Sequence, residues 1–142
     1  MKIRIKRVDP SLPLPHYETQ GSAGFDLVTR KDTVVCPKSI GLVPGNVIVQ
    51  LPDGYVLIVA ARSSTPRRTG LVAPHGIGII DSDYCGPDDE VMVQVKNPTA
   101  DEVTVKRGDR IAQGIVVNCE QVEWEEVQEM DGPSRGGFGS TG

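Results

Sequence analysis

Glycine and proline interrupt this chain at intervals too short for long helices. Sixteen glycines and eleven prolines are spread over 142 residues, and a proline inside a helix removes a backbone hydrogen bond and clashes with the preceding turn. Between the breaks lie short runs rich in valine and isoleucine, several of them alternating apolar with polar residues, the period of a half-buried strand. They predict strands at residues 2–8, 33–36, 40–43, 47–51, 55–61, 76–80, 91–96, 103–105, 111–117 and 119–127. The expected fold is therefore all-β, a sandwich or jelly roll in a single domain. Leu51-Pro52-Asp53-Gly54-Tyr55 reads as a hairpin turn. Thr65-Pro66 followed by Gly70 predicts one short helix, with Thr65 as cap, Pro66 at the first helical position and Gly70 as terminator.

Composition excludes several function classes. No apolar run approaches the ~18 residues of a membrane helix, and the start of the chain alternates at once, so neither a span nor a signal peptide is expected. A formal net charge of −4 provides no long-range attraction to a phosphate backbone, so nucleic acid is not an expected partner and any phosphate chemistry needs a local pocket. Cys36, Cys85 and Cys119 form an odd set without a CxxC pair. Reduced thiols in a cytoplasmic protein fit that set better than a disulfide frame.

Five segments could carry chemistry. Arg62-Ser63-Ser64 sits where a strand runs into the short helix, and its cation, hydroxyls and unpaired backbone N–H groups suit an anion, although a plain cap cluster has the same composition. The acidic loop 81–90 lacks the spacing of a calcium loop. Asp83, Asp88, Asp89 and Glu90 read as a solvated hairpin tip. Asp81, directly after Ile79-Ile80, is expected to be partly buried and positioned, as a base that aims a water must be. Tyr84 could cap the core edge. Residues 107–113 read as a charged turn feeding a strand that carries Gln113, and residues 23–27 as a loop entering a strand, with Asp26 a turn cap or second acid. The last dozen residues hold five glycines and one aromatic, Phe138, and cannot form a core.

In their order and spacing these segments resemble the five motifs of the trimeric dUTP pyrophosphatases: residues 23–27, 61–64, 76–86, 107–113 and 135–142. The resemblance implies a jelly roll of the β-clip kind over residues 1–130, and a flexible C-terminal arm, residues 131–142, that closes the active site. It implies a homotrimer with shared sites, Mg²⁺ on the triphosphate, and cleavage of dUTP to dUMP and pyrophosphate. That activity limits uracil incorporation into DNA and supplies dUMP for thymidylate synthesis. By the same resemblance Asp81 orients the attacking water, and Tyr84 packs on the deoxyribose and excludes a 2′-hydroxyl. Ile79, Ile80 and Met92 belong to the hairpin that receives uracil. Arg62, Ser63, Ser64 and Gln113 contact phosphates, and Asp26 supports Mg²⁺ through water. Arg135, Phe138, Gly139, Ser140 and Thr141 belong to the arm, with Phe138 over the base. His75 stands where many members carry Asn, Ala61 replaces a common Pro, and Pro87-Asp88-Asp89 lengthens the hairpin by three residues. Two other readings stay open: a dCTP deaminase or a bifunctional deaminase and pyrophosphatase, for which Glu90 is the candidate acid–base group in that loop, and a non-catalytic trimeric module.

Overall fold

The computed structural model describes residues 1–137. In chain order the strands are β1 (Arg4–Arg7), β2 (Phe25–Leu27), β3 (Thr33–Val35), β4 (Ile40–Pro44), β5 (Val47–Gln50) and β6 (Tyr55–Ala61). Helix α1 (Thr65–Thr69), the one helix among the described residues, follows, then β7 (Ile77–Ile80), β8 (Met92–Lys96), β9 (Val103–Val105) and β10 (Ala112–Asn118). All pairings are antiparallel: β1 with β5, β3 with β9, β4 with β8, and a four-stranded sheet in the order β2-β10-β6-β7. The core between these sheets is aliphatic, with Leu27, Val43, Leu57, Leu71 and Val91 almost wholly buried. Phe25 is its one aromatic.

Several expectations change. Residues 25–27 form a strand of their own: Phe25 and Leu27 are buried and Asp26 is on the opposite face, the alternation that three residues alone could not announce. Residues 119–127 carry no strand. Their apolar side chains meet no sheet edge among the described residues, and Val122 and Trp124 stand 62% and 91% exposed. The turn at residues 51–55 does not join a hairpin, because β5 pairs with β1 while β6 pairs with β10 and β7. It carries the chain from one sheet to another. The same holds for loop 81–91, which leads from β7 in the four-stranded sheet to β8 beside β4, so Ile79, Ile80 and Met92 do not share a hairpin.

Helix α1 starts one residue earlier than expected. Ser64 is the cap residue, without a side-chain cap bond, while Thr65 is buried and its hydroxyl donates to the Ile111 carbonyl at 2.6 Å. Gly70 ends the helix as expected, at φ 73° with its N–H on the Pro66 carbonyl.

Gly114 in β10 marks a close approach: a Cβ there would lie 2.7 and 2.8 Å from Phe25 ring atoms and 3.0 Å from a Leu57 methyl carbon. Gly114→Ala is expected to lower the unfolding free energy by about 1–3 kcal/mol through overpacking. Urea denaturation measures it, and an unchanged midpoint would show that the ring moves aside freely.

Candidate functional site

The sheet order β2-β10-β6 decides which polar groups meet. Asp26 in β2 pairs across the ladder with Gln113 in β10, and Ala112 of β10 pairs with Ala61 at the end of β6. Arg62 and Arg110, just outside those strand ends, converge on Asp26. Arg62 Nε lies 3.0 Å from Asp26 Oδ1, and an Arg110 guanidinium nitrogen lies 3.1 Å from Oδ2. The Asp26 side chain is only 12% exposed. Its Oδ2 is shut off from solvent and receives no well-aligned hydrogen bond among the described residues, so the Arg110 contact is chiefly electrostatic. Arg110 also pairs with Glu18, and Glu18 lies 3.5 Å from His16 Nε2.

Arg62-Ser63-Ser64 follows from this framework. The Arg62 N–H donates to the Ile111 carbonyl at 3.0 Å, closing β6 against the start of β10. Thr65 N–H then turns back onto the Arg62 carbonyl at 2.9 Å. The backbone N–H groups of Ser63 and Ser64 make no backbone hydrogen bond among the described residues, and the Ser64 hydroxyl does not cap the helix. A fixed guanidinium beside two hydroxyls and two backbone donors can receive phosphate oxygens.

A second group sits at the other end of β6. Strand β7 pairs with it so that Ile80 faces Leu57 and Ile77 faces Ala60, which sets Asp81 beside Val56. Asp81 is exposed rather than partly buried, because β7 is an edge strand and none of the described residues covers its end. It lines a cleft of about 420 Å³ with Tyr55, Ile79, Ser82, Asp83 and Cys119. Ile79 is 52% exposed, whereas Ile80 packs against the core and can offer a ligand only its backbone. His75 is exposed and, with Gly78 and Met92, borders a small cavity of about 20 Å³ on the way to the phosphate end.

Tyr84, 39% exposed, donates through its hydroxyl to the Glu90 carbonyl at 3.4 Å. Glu90 is not a solvated tip residue. It is 9% exposed and accepts three contacts of 2.8–3.1 Å from Arg30 Nε and a terminal Arg30 nitrogen. It also accepts the Asn46 N–H at 2.8 Å. The Glu90 carboxylate raises the Arg30 pKa above the usual guanidinium value. Asp89, half-buried, accepts the Gly86 N–H at 2.6 Å, and Asp83 and Asp88 are exposed as expected. Away from the site, hydrogen bonds from Ser11 and Arg107 hold the Asp9 carboxyl well below its ordinary pKa, and the Arg107 N–H and Lys106 lower that of Asp32.

One chain therefore brings Asp26, Arg62 and Gln113 together, with Ser63 and Ser64 next to Arg62 in sequence, and separately sets Asp81 and Ile79 in one cleft. Tyr84 donates its N–H to the Asp81 carbonyl at 3.2 Å, but its ring does not line that cleft. From Val56 to Arg62 is six residues of extended strand, about 20 Å at ~3.3 Å per residue. Arg135 is exposed and distant in sequence from both groups, and Phe138, Gly139, Ser140 and Thr141 lie outside the described residues. Sequence reasoning passed over Arg110, Glu18, Arg30 and Asn46. Arg110 is signalled by its place two residues before a strand end, whereas the Arg30–Glu90 pair spans sixty residues and leaves no local trace.

The sequence model of the dUTPase family matches residues 11–142. A Deoxyuridine 5'-triphosphate nucleotidohydrolase of Thermobifida fusca (strain YX) is 40% identical over 145 aligned positions, covering all of this chain and 79% of that one. The dUTPase of Streptococcus mutans superposes with a TM-score of 0.78 at 33% identity, over 84% of this chain and 98% of that chain. The dUTPase of Staphylococcus bacteriophage 80alpha, solved with dUPNHPP, reaches a TM-score of 0.87 over 99% and 98% of the two chains. At 23% identity that likeness concerns the fold.

Proposed function

The chain belongs to the dUTPase family, and from that premise we infer that it hydrolyses dUTP to dUMP and pyrophosphate at sites completed by neighbouring copies of itself. It is a nucleotide hydrolase with dUTP as its substrate. The observation that carries this reading is likeness over the full chain to a named deoxyuridine triphosphate nucleotidohydrolase. The product dUMP feeds thymidylate synthesis, and removal of dUTP keeps uracil out of DNA. Among the described residues no helix is long and apolar enough to cross a membrane, and the three free thiols fit the cytoplasm.

In the proposed mechanism the Asp81 carboxylate accepts a proton from the water that attacks the α-phosphorus. The water oxygen bonds to that phosphorus as its bond to the α,β-bridging oxygen breaks, and pyrophosphate leaves. Arg62, Ser63, Ser64 and Gln113 receive phosphate oxygens, with Asp26 fixing the Arg62 guanidinium. Arg135, Phe138, Gly139, Ser140 and Thr141 form the arm that shuts out bulk water. Ile79, Ile80, His75 and Met92 border the base, and Tyr84 stands against the sugar.

Both oxygens of Asp26 already face guanidinium groups and no cluster of three metal-ligating side chains occurs among the described residues, so Asp26 would serve Mg²⁺ indirectly, through water and through the arginines it fixes, and not as a direct ligand. When bound, Mg²⁺ neutralises charge on the phosphate oxygens. Glu90, the acid–base candidate of a deaminase, is committed to Arg30 and Asn46, which favours the pyrophosphatase.

The homotrimer is what the family resemblance implies, and three features support sites shared between copies. The proposed base and phosphate cations stand about 20 Å apart along one strand, too far to act on adjacent atoms. Residues 119–127 expose alternating apolar side chains without a partner strand. Ile40, Leu42, Ile77 and Ile79 leave further apolar surface open on β4 and β7.

Pyrophosphate release from dUTP, dCTP, dTTP and UTP tests the function. Rapid release from dUTP alone is expected, and ammonia from dCTP or equal release from all four would overturn it. Tyr84→Ala is expected to raise UTP hydrolysis relative to dUTP by about tenfold or more, as removal of steric exclusion does. An unchanged ratio would remove Tyr84 from sugar selection.

A further inference from the structure

We propose that the part-buried Arg30–Glu90 pair is the positioning device that sets sugar selectivity, acting on Tyr84 through the Glu90 backbone carbonyl. The inference rests on the reading of Tyr84 as the residue against the deoxyribose.

Tyr84 lies in a loop that runs between two sheets without a ladder of its own, and its ring is more than a third exposed. A ring in that setting samples several rotamers unless something holds its far end. The only side-chain hydrogen bond of Tyr84 among the described residues is from its hydroxyl to the Glu90 carbonyl. At 3.4 Å the contact is longer than an ordinary O–H···O hydrogen bond, so it restrains the ring only while the Glu90 carbonyl is itself held in place.

The carbonyl it reaches is fixed from every side. Glu90 N–H donates to the Asp88 carbonyl at 2.9 Å, and the next residue, Val91, donates to the Val47 carbonyl at 2.8 Å. The Glu90 carboxylate grips the Arg30 side chain through two of its nitrogens, and it accepts the N–H of Asn46. Asn46 is 1% exposed at φ 66°, and its side chain exchanges hydrogen bonds with the Asp9 backbone at 2.7 and 3.2 Å. Glu90 thus joins the β4–β5 turn, the segment after β1 and the segment after β2 at one buried point. The loop that carries Tyr84 ends on that point.

Excluding one hydroxyl requires a ring held to within about half an ångström, which packing and supporting hydrogen bonds around a contact residue provide. Loss of the Glu90 charge frees the carboxyl end of the loop, and loss of the phenol hydroxyl frees the ring while leaving the part-buried pair intact. Both changes relax the same contact.

The test is the ratio of kcat/KM for UTP to that for dUTP, with the melting temperature recorded in parallel. Glu90→Gln and Tyr84→Phe are each expected to raise the ratio at least about fivefold, and the double variant to rise no further than either alone, as members of one chain of contacts do. Arg30→Lys, which keeps the charge but not the two-nitrogen grip, is expected to fall between wild type and Glu90→Gln. A purely structural pair would lower the melting temperature and both kcat/KM values together, leaving the ratio where it was, and that result would overturn the proposal. If Glu90→Gln does not fold, Tyr84→Phe decides: an unchanged ratio there overturns it equally. Wild-type protein that fails to prefer dUTP over UTP would instead overturn the assignment of Tyr84 to the sugar.

Discussion

Asp81→Asn is expected to lose about two to four orders of magnitude in kcat while dUTP still binds, the usual cost of removing a general base. The amide keeps the size and shape of the carboxyl but cannot take the proton the attacking water gives up. Asp81 is exposed at the end of an edge strand, and its side chain makes no hydrogen bond or ion pair among the described residues. Its replacement therefore removes no folding interaction, and the melting temperature should stay within a degree or two. Titration calorimetry of the variant with dUTP separates binding from turnover. A kcat within a few-fold of wild type would take Asp81 out of the chemistry.

The strands that formed where expected were those whose pattern is local. The run of residues 55–61 is long, β-branched and bounded by an Asp-Gly turn and by Arg62-Ser63-Ser64, and it became the central strand β6. The Pro66 and Gly70 punctuation of α1 was legible for the same reason. Pairing was not legible. Loop 81–91 and the turn at 51–55 each look like a hairpin connection, yet both pass between sheets, because which edge a strand meets depends on residues dozens of positions away. Residues 119–127 show the limit most plainly: the run reads as a strand, yet no sequence window shows that it finds no strand to pair with among the described residues and leaves Val122, Trp124 and Val127 exposed.

The site divided along the same line. Arg62, Ser63 and Ser64 were legible as an anion pocket, and Gln113 only through the family resemblance; the structure sets Arg62 on Asp26 and Gln113 across the ladder from it. Burial was read wrongly at both ends of one loop, with Asp81 exposed and Glu90 enclosed. Asp81 follows an apolar run that lies on an edge strand. Glu90 follows the exposed Asp88 and half-buried Asp89 but finds Arg30 sixty residues back. No window of sequence contains either reason.

The arrangement of the two groups along β6 makes complementation the decisive measurement. Arg62→Gln removes the guanidinium from the phosphate end, and Asp81→Asn removes the base from the other, so each variant alone should be nearly inactive. Unfolded together in equal amounts and refolded, they form mixed assemblies. If each site takes its base from one copy and its Arg62 from another, random assortment leaves about a quarter of the sites with both groups intact. Pyrophosphate release from dUTP should then recover to about a quarter of the wild-type rate. If one chain supplies both groups, every site lacks one of them whatever the mixture. The same preparation, with mixed assemblies confirmed by mass spectrometry, would then stay as inactive as its parents and contradict the shared site.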